Sequence, residues 1–81
     1  MGEHFTIWVK SGCPFCVAAS QLLLSQKVSH TVYVMNNNLG ELESLQEKWN
    51  HPTVPVVVHK DGNKETLVGG YTELKGWFEN D

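Results

Sequence analysis

The hydrophobic pattern of the first 35 residues changes period twice, and this constrains the fold more than any other feature of the chain. In residues 4–10 the apolar side chains of Phe5, Ile7 and Val9 occupy alternate positions, which predicts a strand. Residues 14–26 place Cys16, Ala19, Leu22 and Leu23 on one inward face at helical spacing, and residues 30–35 alternate again. A strand, a helix and a strand in this order predict a right-handed crossover, so the two strands should lie parallel.

Residues 39–49 predict a second helix. Asn38 stands at the position of a helix cap, and Glu41 follows three residues later, as in a capping box. The acidic side chains of this segment should form a solvated face, because they alternate with the apolar positions at helical spacing. That face comprises Glu41, Glu43, Glu47 and Lys48.

A hairpin and a short helix complete the chain. Residues 54–59 are nearly all apolar, so we expect a strand at the centre of the sheet. Asp61-Gly62 is a hairpin signal, and residues 64–68 should return antiparallel to the strand before them. The order βαβαββα predicts an α/β fold with a single domain over residues 1–81. The closing helix is indicated by Leu74, Trp77 and Phe78.

Composition disfavours several classes of function. The net charge is −3 and the six basic residues are scattered lysines, so nucleic-acid binding is not expected. No apolar run is long enough to span a bilayer, and no charged-then-apolar leader precedes the first strand. Two cysteines in such a chain favour a reducing compartment. We therefore expect a cytoplasmic monomer without nucleic-acid or membrane partners.

Chemistry is indicated most clearly by Cys13-Pro14-Phe15-Cys16, which lies where the first strand gives way to the first helix. The free N–H groups and positive dipole of the helix start favour a thiolate on Cys13, and Lys10 adds positive charge. Cys16 lies in the first turn, close enough to attack a mixed disulfide on Cys13. These positions predict an attacking thiol at Cys13 and a resolving thiol at Cys16.

Two other interpretations of the cysteine pair remain open. Both cysteines can be inert core residues, or they can bind zinc together with two of the four histidines. Neither a second C-x-x-C nor a closely spaced histidine pair follows, and a strand, an internal proline and a helix coincide at the motif. Redox chemistry is therefore favoured, and no metal is expected.

The chain resembles the glutaredoxins of the thioredoxin superfamily, particularly small phage and bacterial members. The resemblance covers essentially the whole length, and the order of elements agrees with it. It implies a four-stranded mixed sheet flanked by three helices, and a cis peptide bond before Pro55 that faces the cysteines. The motifs are Lys10, Cys13-Pro14-Phe15-Cys16, Thr53-Val54-Pro55 and Gly69-Gly70-Tyr71-Thr72-Glu73.

The resemblance also implies a dithiol–disulfide oxidoreductase with glutathione as co-substrate and no bound cofactor. Such an enzyme reduces protein disulfides and glutathione mixed disulfides, and ribonucleotide reductase is a plausible client. Lys10 would meet a glutathione carboxylate, the backbone of Val54 would pair with the cysteinyl part, and Phe15 would form an aromatic wall. The remaining implied contacts are Pro55 beside the cysteines and, at the γ-glutamyl end, Gly70, Tyr71, Thr72 and also Glu73.

One departure from the family pattern keeps alternatives open. Many glutaredoxins carry a basic residue just before the Thr-Val-Pro segment, whereas this chain has no arginine and offers only His51 there. His51 is either a partly charged substitute or a simple loop residue. The alternatives are a redoxin reduced by thioredoxin reductase and a metal or iron–sulfur binding module that uses Cys13 and Cys16.

The other aromatic and histidine residues are expected to be structural. Trp8, Trp49 and Trp77 should pack in the core or against helices. The remaining histidines lie in or beside strands without an acidic partner at a telling spacing, so we expect them at the surface. They are His4, His30 and His59.

Overall fold

The computed structural model describes residues 2–79 and has the predicted order of strands and helices. The domain expected over residues 1–81 includes Met1, Asn80 and Asp81, which lie outside the described residues. None of the helices in residues 2–79 has the length and apolarity needed to cross a membrane. The elements are β1 (Glu3–Val9), α1 (Pro14–Ser25), β2 (His30–Val34), α2 (Leu39–Trp49), β3 (Val56–Asp61), β4 (Lys64–Gly69) and α3 (Tyr71–Glu79).

The four strands form one mixed sheet in the order β2-β1-β3-β4. β1 pairs parallel with β2, as the crossover predicted, and β3 pairs antiparallel with both β1 and β4. The apolar strand β3 therefore has a neighbour on each side, which confirms its expected central place. It begins at Val56 rather than at Val54, because Pro55 has no N–H to donate to a ladder. The Val54–Pro55 peptide bond is cis, as the resemblance implied.

The core on one face of the sheet joins β1, α1 and α3. The inward residues of β1 are Phe5, Ile7 and Val9, and all three are buried. The predicted inner face of α1 is confirmed, with Leu22 only partly buried. A smaller cluster on Met35, Leu42 and Val56 includes Trp8 at its edge. The buried residues contributed by α1 are Cys16, Ala19 and Leu23.

His59 corrects the expectation that the strand histidines lie at the surface. It is 8% exposed, and its Nε2 lies 2.7 Å from Oε1 of Glu3. Its ring centroid is 4.9 Å from those of both Phe5 and Trp77. The expectation failed because the acidic partner lies far away in sequence, and the antiparallel pairing of β1 with β3 brings it close. His4 and His30 are half-buried.

Helix capping also differs from the expectation. The Asn38 side chain makes no capping hydrogen bond, so the predicted capping box of α2 is not formed. A capping interaction occurs instead at α3, where Oε1 of Glu73 accepts a 2.7 Å hydrogen bond from the N–H of Gly70. Asn38 is exposed, and water can satisfy the N–H groups of its helix. Gly70 is buried, so its N–H needs a partner from the protein.

Two glycines near α3 should respond oppositely to alanine. Gly69 has a φ of +123°, and a β-carbon there would lie 2.8 Å from Cγ of Glu73. We expect Gly69→Ala to lower the free energy of unfolding by about 1–3 kcal/mol, because the backbone is strained and the Glu73 cap is displaced. Gly76 lies inside α3 with no atom within 4 Å of such a carbon, so Gly76→Ala should stabilise by about 0.5–1 kcal/mol. Urea unfolding midpoints measure both, and equal stability of Gly69→Ala and wild type would contradict this account.

Candidate active site

The start of α1 directs backbone donors at the sulfur of Cys13. Cys13 is the N-cap residue, with extended backbone, and Pro14 begins the helix where no N–H is required. The N–H of Cys16 donates to Sγ of Cys13 at 3.3 Å, so the sulfur accepts the hydrogen bond that a capping side chain usually accepts. Both cysteines are free thiols, and Cys13 is the more accessible of the two. Of the two thiols, the one at the helix start is therefore the one that solvent reaches.

The pKa of Cys13 is lowered, chiefly by the hydrogen bond that its thiolate accepts from the thiol of Cys16. Backbone N–H groups of Cys16 and Phe15 lower it further, and partial burial opposes them. Lys10 contributes the least of these causes. The direction agrees with the sequence-based expectation. The main cause of the lowered pKa differs from the expected one, because the expectation named the helix start and Lys10 and overlooked the thiol of Cys16.

The pKa of Cys16 is shifted in the opposite direction, above its usual value. It is 2% exposed, and its burial is the main cause that raises its pKa to about 11. The hydrogen bond it donates to Cys13 and the negative charge of that thiolate raise the pKa further. Both of these causes depend on the thiolate, so they weaken once Cys13 is held in a mixed disulfide. Cys16 therefore keeps its proton in the resting state and loses it more readily after Cys13 has reacted.

A cleft of about 330 Å³ is formed by three segments that are distant in sequence. Phe15, two residues after Cys13, forms one side, and its ring centroid lies 6.2 Å from that of Tyr71. Seven of the eight residues implied for glutathione binding line this one cleft. Its lining residues are Phe15, Thr53, Val54, Pro55, Gly70, Tyr71, Thr72 and Glu73.

Lys10 is the implied residue that does not line this cleft. It is exposed just after β1 and lines an adjoining cleft of about 420 Å³ against α2. Thr53 and Val54 line both clefts, so the two meet along this segment. A ligand extended along Val54 would therefore reach from Lys10 to the start of α3.

Gly70 and Glu73 change one detail of the expected site. Because the N–H of Gly70 already donates to Glu73, it is not available to a ligand carboxylate. The donors that remain at the start of α3 are the N–H groups of Tyr71 and Thr72, which have no acceptor one turn earlier in the helix. Sequence reasoning missed this cap, although a glutamate three residues after Gly70, the residue before the helix, was the signal for it.

His51 lies near this cleft without lining it. It is half-buried, and its Nε2 lies 3.3 Å from the carbonyl oxygen of Pro55. The structure thus gives it a specific contact with the segment that carries Val54. Within residues 2–79, histidine, cysteine and acidic side chains do not form any group of three or more that could hold a metal ion.

A family model described as glutaredoxin matches residues 5–63, which is well over half of the chain. The chain belongs to the glutaredoxin family. Comparison with curated protein sequences found no significant match.

Solved glutaredoxin structures share the fold. The reduced glutaredoxin of Escherichia coli matches with a TM-score of 0.72 and 27% identity, over 96% of this chain and 95% of that one. A dithiolic glutaredoxin from Trypanosoma brucei brucei matches with a TM-score of 0.74 and 23% identity, over 94% of this chain and 77% of that one. Glutaredoxin 1 from Francisella tularensis matches with a TM-score of 0.69 and 22% identity, over 98% of this chain and 95% of that one. Glutaredoxins are thiol–disulfide oxidoreductases, and this member carries its two thiols at Cys13 and Cys16.

The contact between the two thiols can be tested through the pKa of Cys13. Cys16→Ala removes the hydrogen-bond donor, whereas Cys16→Ser retains one, so we expect a higher Cys13 pKa in the alanine variant. Lys10→Gln should raise that pKa less than Cys16→Ala does, because Lys10 is the smallest of the causes. Ultraviolet absorbance of the thiolate against pH gives these values. A larger effect for Lys10→Gln would show that its charge, and not the second thiol, controls the nucleophile.

Proposed function

We propose that this glutaredoxin uses glutathione to reduce protein disulfides and glutathione mixed disulfides through Cys13 and Cys16. The observation that carries the proposal is the single cleft shared by the start of α1, the segment before β3 and the start of α3. Its volume of about 330 Å³ falls within the range of small-ligand sites. Cys13, the thiol with the lowered pKa, lies two residues before Phe15, which forms one side of the cleft.

The middle of the cleft suits an extended thiol ligand. Val54 is half-buried, precedes the first ladder position of β3, and lines the cleft with its neighbours. Within residues 2–79, no backbone hydrogen bond engages its N–H or its C=O. A ligand backbone can pair with these groups as an added strand does, which would orient a cysteinyl sulfur toward Cys13.

The two ends of the cleft suit the charged ends of glutathione. At the start of α3, the N–H groups of Tyr71 and Thr72 favour a carboxylate. The carboxylate of Glu73 lines the same end and would meet the ammonium group of a γ-glutamyl residue. At the other end Lys10 can meet the second carboxylate as a point charge.

The proposed reaction begins when the Cys13 thiolate attacks one sulfur of a substrate disulfide. A bond forms between Cys13 and that sulfur, and the other substrate sulfur leaves as a thiolate that takes up a proton. Cys16 then loses its proton and attacks the sulfur of Cys13, which releases the second substrate thiol and leaves a Cys13–Cys16 disulfide. Two glutathione molecules restore the dithiol in two exchanges and leave as oxidised glutathione.

A second candidate is a redoxin of the same fold that receives electrons from thioredoxin reductase. Two observations favour it over glutathione. The chain has no arginine to bind a carboxylate in a bidentate manner, and the N–H of Gly70 is already occupied by Glu73. Both leave fewer groups for an anionic ligand than a glutathione site would use.

The less favoured alternative is a metal or iron–sulfur binding module. Within residues 2–79, Cys13 and Cys16 have no histidine or acidic side chain near enough to complete a group of three. A cluster would therefore need ligands from a second chain or a small molecule. Absorption spectra and metal analysis of the purified protein distinguish this alternative from the redox enzyme.

The proposal also covers the cellular compartment, the oligomeric state and the protein substrate. Two free thiols suit a reducing compartment, so we propose a cytoplasmic enzyme that acts as a monomer. Ribonucleotide reductase is the client we propose to test first, as an acceptor of electrons from the reduced dithiol.

Serine variants should separate the roles of the two thiols. We expect Cys13→Ser to lose all disulfide reduction, because the thiol with the lowered pKa is removed. Cys16→Ser should retain reduction of glutathione mixed disulfides, since that reaction needs one attacking thiol, and should lose reduction of intramolecular protein disulfides. Turnover coupled to glutathione and glutathione reductase measures the activity of both variants on the two kinds of disulfide. An active Cys13→Ser variant would reverse the assignment.

Lys10→Ala should weaken the use of glutathione. Loss of one charge-assisted contact costs about 1.5 kcal/mol or more, so the glutathione concentration for half-maximal rate should rise about tenfold. Lys60→Ala is the matched control, because Lys60 is exposed on β3 and pairs with His4 at the opposite end of β1. If Lys10→Ala behaves like Lys60→Ala, the carboxylate site is wrong. Reduction by thioredoxin reductase in the same preparation would then favour the second candidate.

A further inference from the structure

His51 contacts one of the three segments that form the cleft and lies next to a second. Its Nε2 lies 3.3 Å from the carbonyl oxygen of Pro55 and 3.4 Å from Oγ1 of Thr53. A β-carbon at Gly70 would lie 3.8 Å from the same Nε2 and 3.7 Å from the Pro55 oxygen. The imidazole therefore lies where the segment before β3 meets the start of α3.

The backbone of His51 is held by the end of α2. Asn50 adopts the left-handed conformation, with a φ of 52°, and ends the helix. The N–H of His51 then donates to the carbonyl of Gln46 at 2.9 Å, as in a Schellman motif. The ring thus extends from a fixed helix end and is not carried by a free loop.

The contact with Pro55 determines which ring atom carries a proton. A carbonyl oxygen only accepts hydrogen bonds, so Nε2 of His51 must be the donor. The Thr53 hydroxyl is near the same nitrogen, so one N–H group faces two residues of the Thr53–Pro55 segment. Val54 lies between these two residues, and its backbone position depends on theirs.

We propose that His51 is a positioning residue for the thiol-substrate cleft. It holds the Thr53–Pro55 segment at a set separation from Gly70, so that the backbone of Val54 and the start of α3 can contact one ligand together. His51 does not line the cleft and touches no reacting sulfur, so it acts through Val54 and Gly70. The proposal rests on the proposed function, because it assumes that a thiol ligand spans both segments.

The test compares His51→Leu, which removes the donor, with His51→Gln, whose amide N–H can reach the position of Nε2. We expect His51→Leu to raise the KM for a glutathione–peptide mixed disulfide about fivefold, as loss of one neutral hydrogen bond predicts. The kcat should stay close to that of wild type, and His51→Gln should restore most of the KM. If His51→Leu does not fold, His51→Asn replaces it, because its shorter amide cannot reach Pro55.

His30→Leu is the matched control. His30 is also half-buried and also places a ring nitrogen against a backbone carbonyl, that of Val28 at 2.8 Å, but it does not line the cleft. We expect His30→Leu to lower the stability of the protein without changing the KM. An equal rise in KM for His30→Leu and His51→Leu would overturn the proposal, since a general loss of stability would then explain both.

A ligand-free measurement separates this proposal from the proposed function. Amide chemical shifts of Val54 and Gly70 should move in His51→Leu and return in His51→Gln, whatever the substrate is. Unmoved shifts, an unchanged KM, or a glutamine variant as impaired as the leucine variant would each overturn the positioning role. If wild-type turnover shows no dependence on glutathione while the shifts move as expected, the proposed function fails. The positioning role then stands on the shifts alone, so the two failures are distinguished.

Discussion

The pKa of Cys13 depends on Cys16, whose thiol is buried in the core and whose N–H donates to Sγ of Cys13 at 3.3 Å. Cys16 lies in the core beside Ala19 and Leu23, where a thiolate would be poorly solvated, so it stays protonated and can donate. That donation is the main reason for the lowered pKa of Cys13. The lowered pKa of Cys13 is therefore a consequence of how α1 packs on the sheet.

The cleft depends on a different constraint, the close approach of two backbone segments. Pro55 and Gly70 come from opposite ends of the β3–β4 hairpin, and a β-carbon at Gly70 would lie 3.7 Å from the Pro55 carbonyl oxygen and 3.8 Å from Nε2 of His51, in ordinary van der Waals contact. Glu73 then satisfies the buried N–H of Gly70. Each side of the cleft is thus held by a polar contact that does not involve the backbone N–H of Val54, Tyr71 or Thr72.

The sequence predicted the elements because their signals are local. The alternation of Phe5, Ile7 and Val9 identified β1, and the spacing of Cys16, Ala19 and Leu23 identified the inner face of α1. The failures differ in cause, since Glu3 is remote in sequence from His59, whereas Glu73 had a local signal three residues after Gly70. His59 pairs with Glu3 across two antiparallel strands, and the capping side chain appeared at α3 instead of α2.

By itself, the sequence determined the order of the elements, the cysteine pair at a helix start and, through resemblance, the residues of the cleft. These follow from periodicity and from motifs a few residues long. Only the tertiary structure decided which thiol contact lowers the pKa of Cys13, that Lys10 lies in the adjoining cleft, and that His51 contacts Pro55. Burial and distances between remote segments arise when the helices pack on the sheet, and no local pattern of residues encodes them.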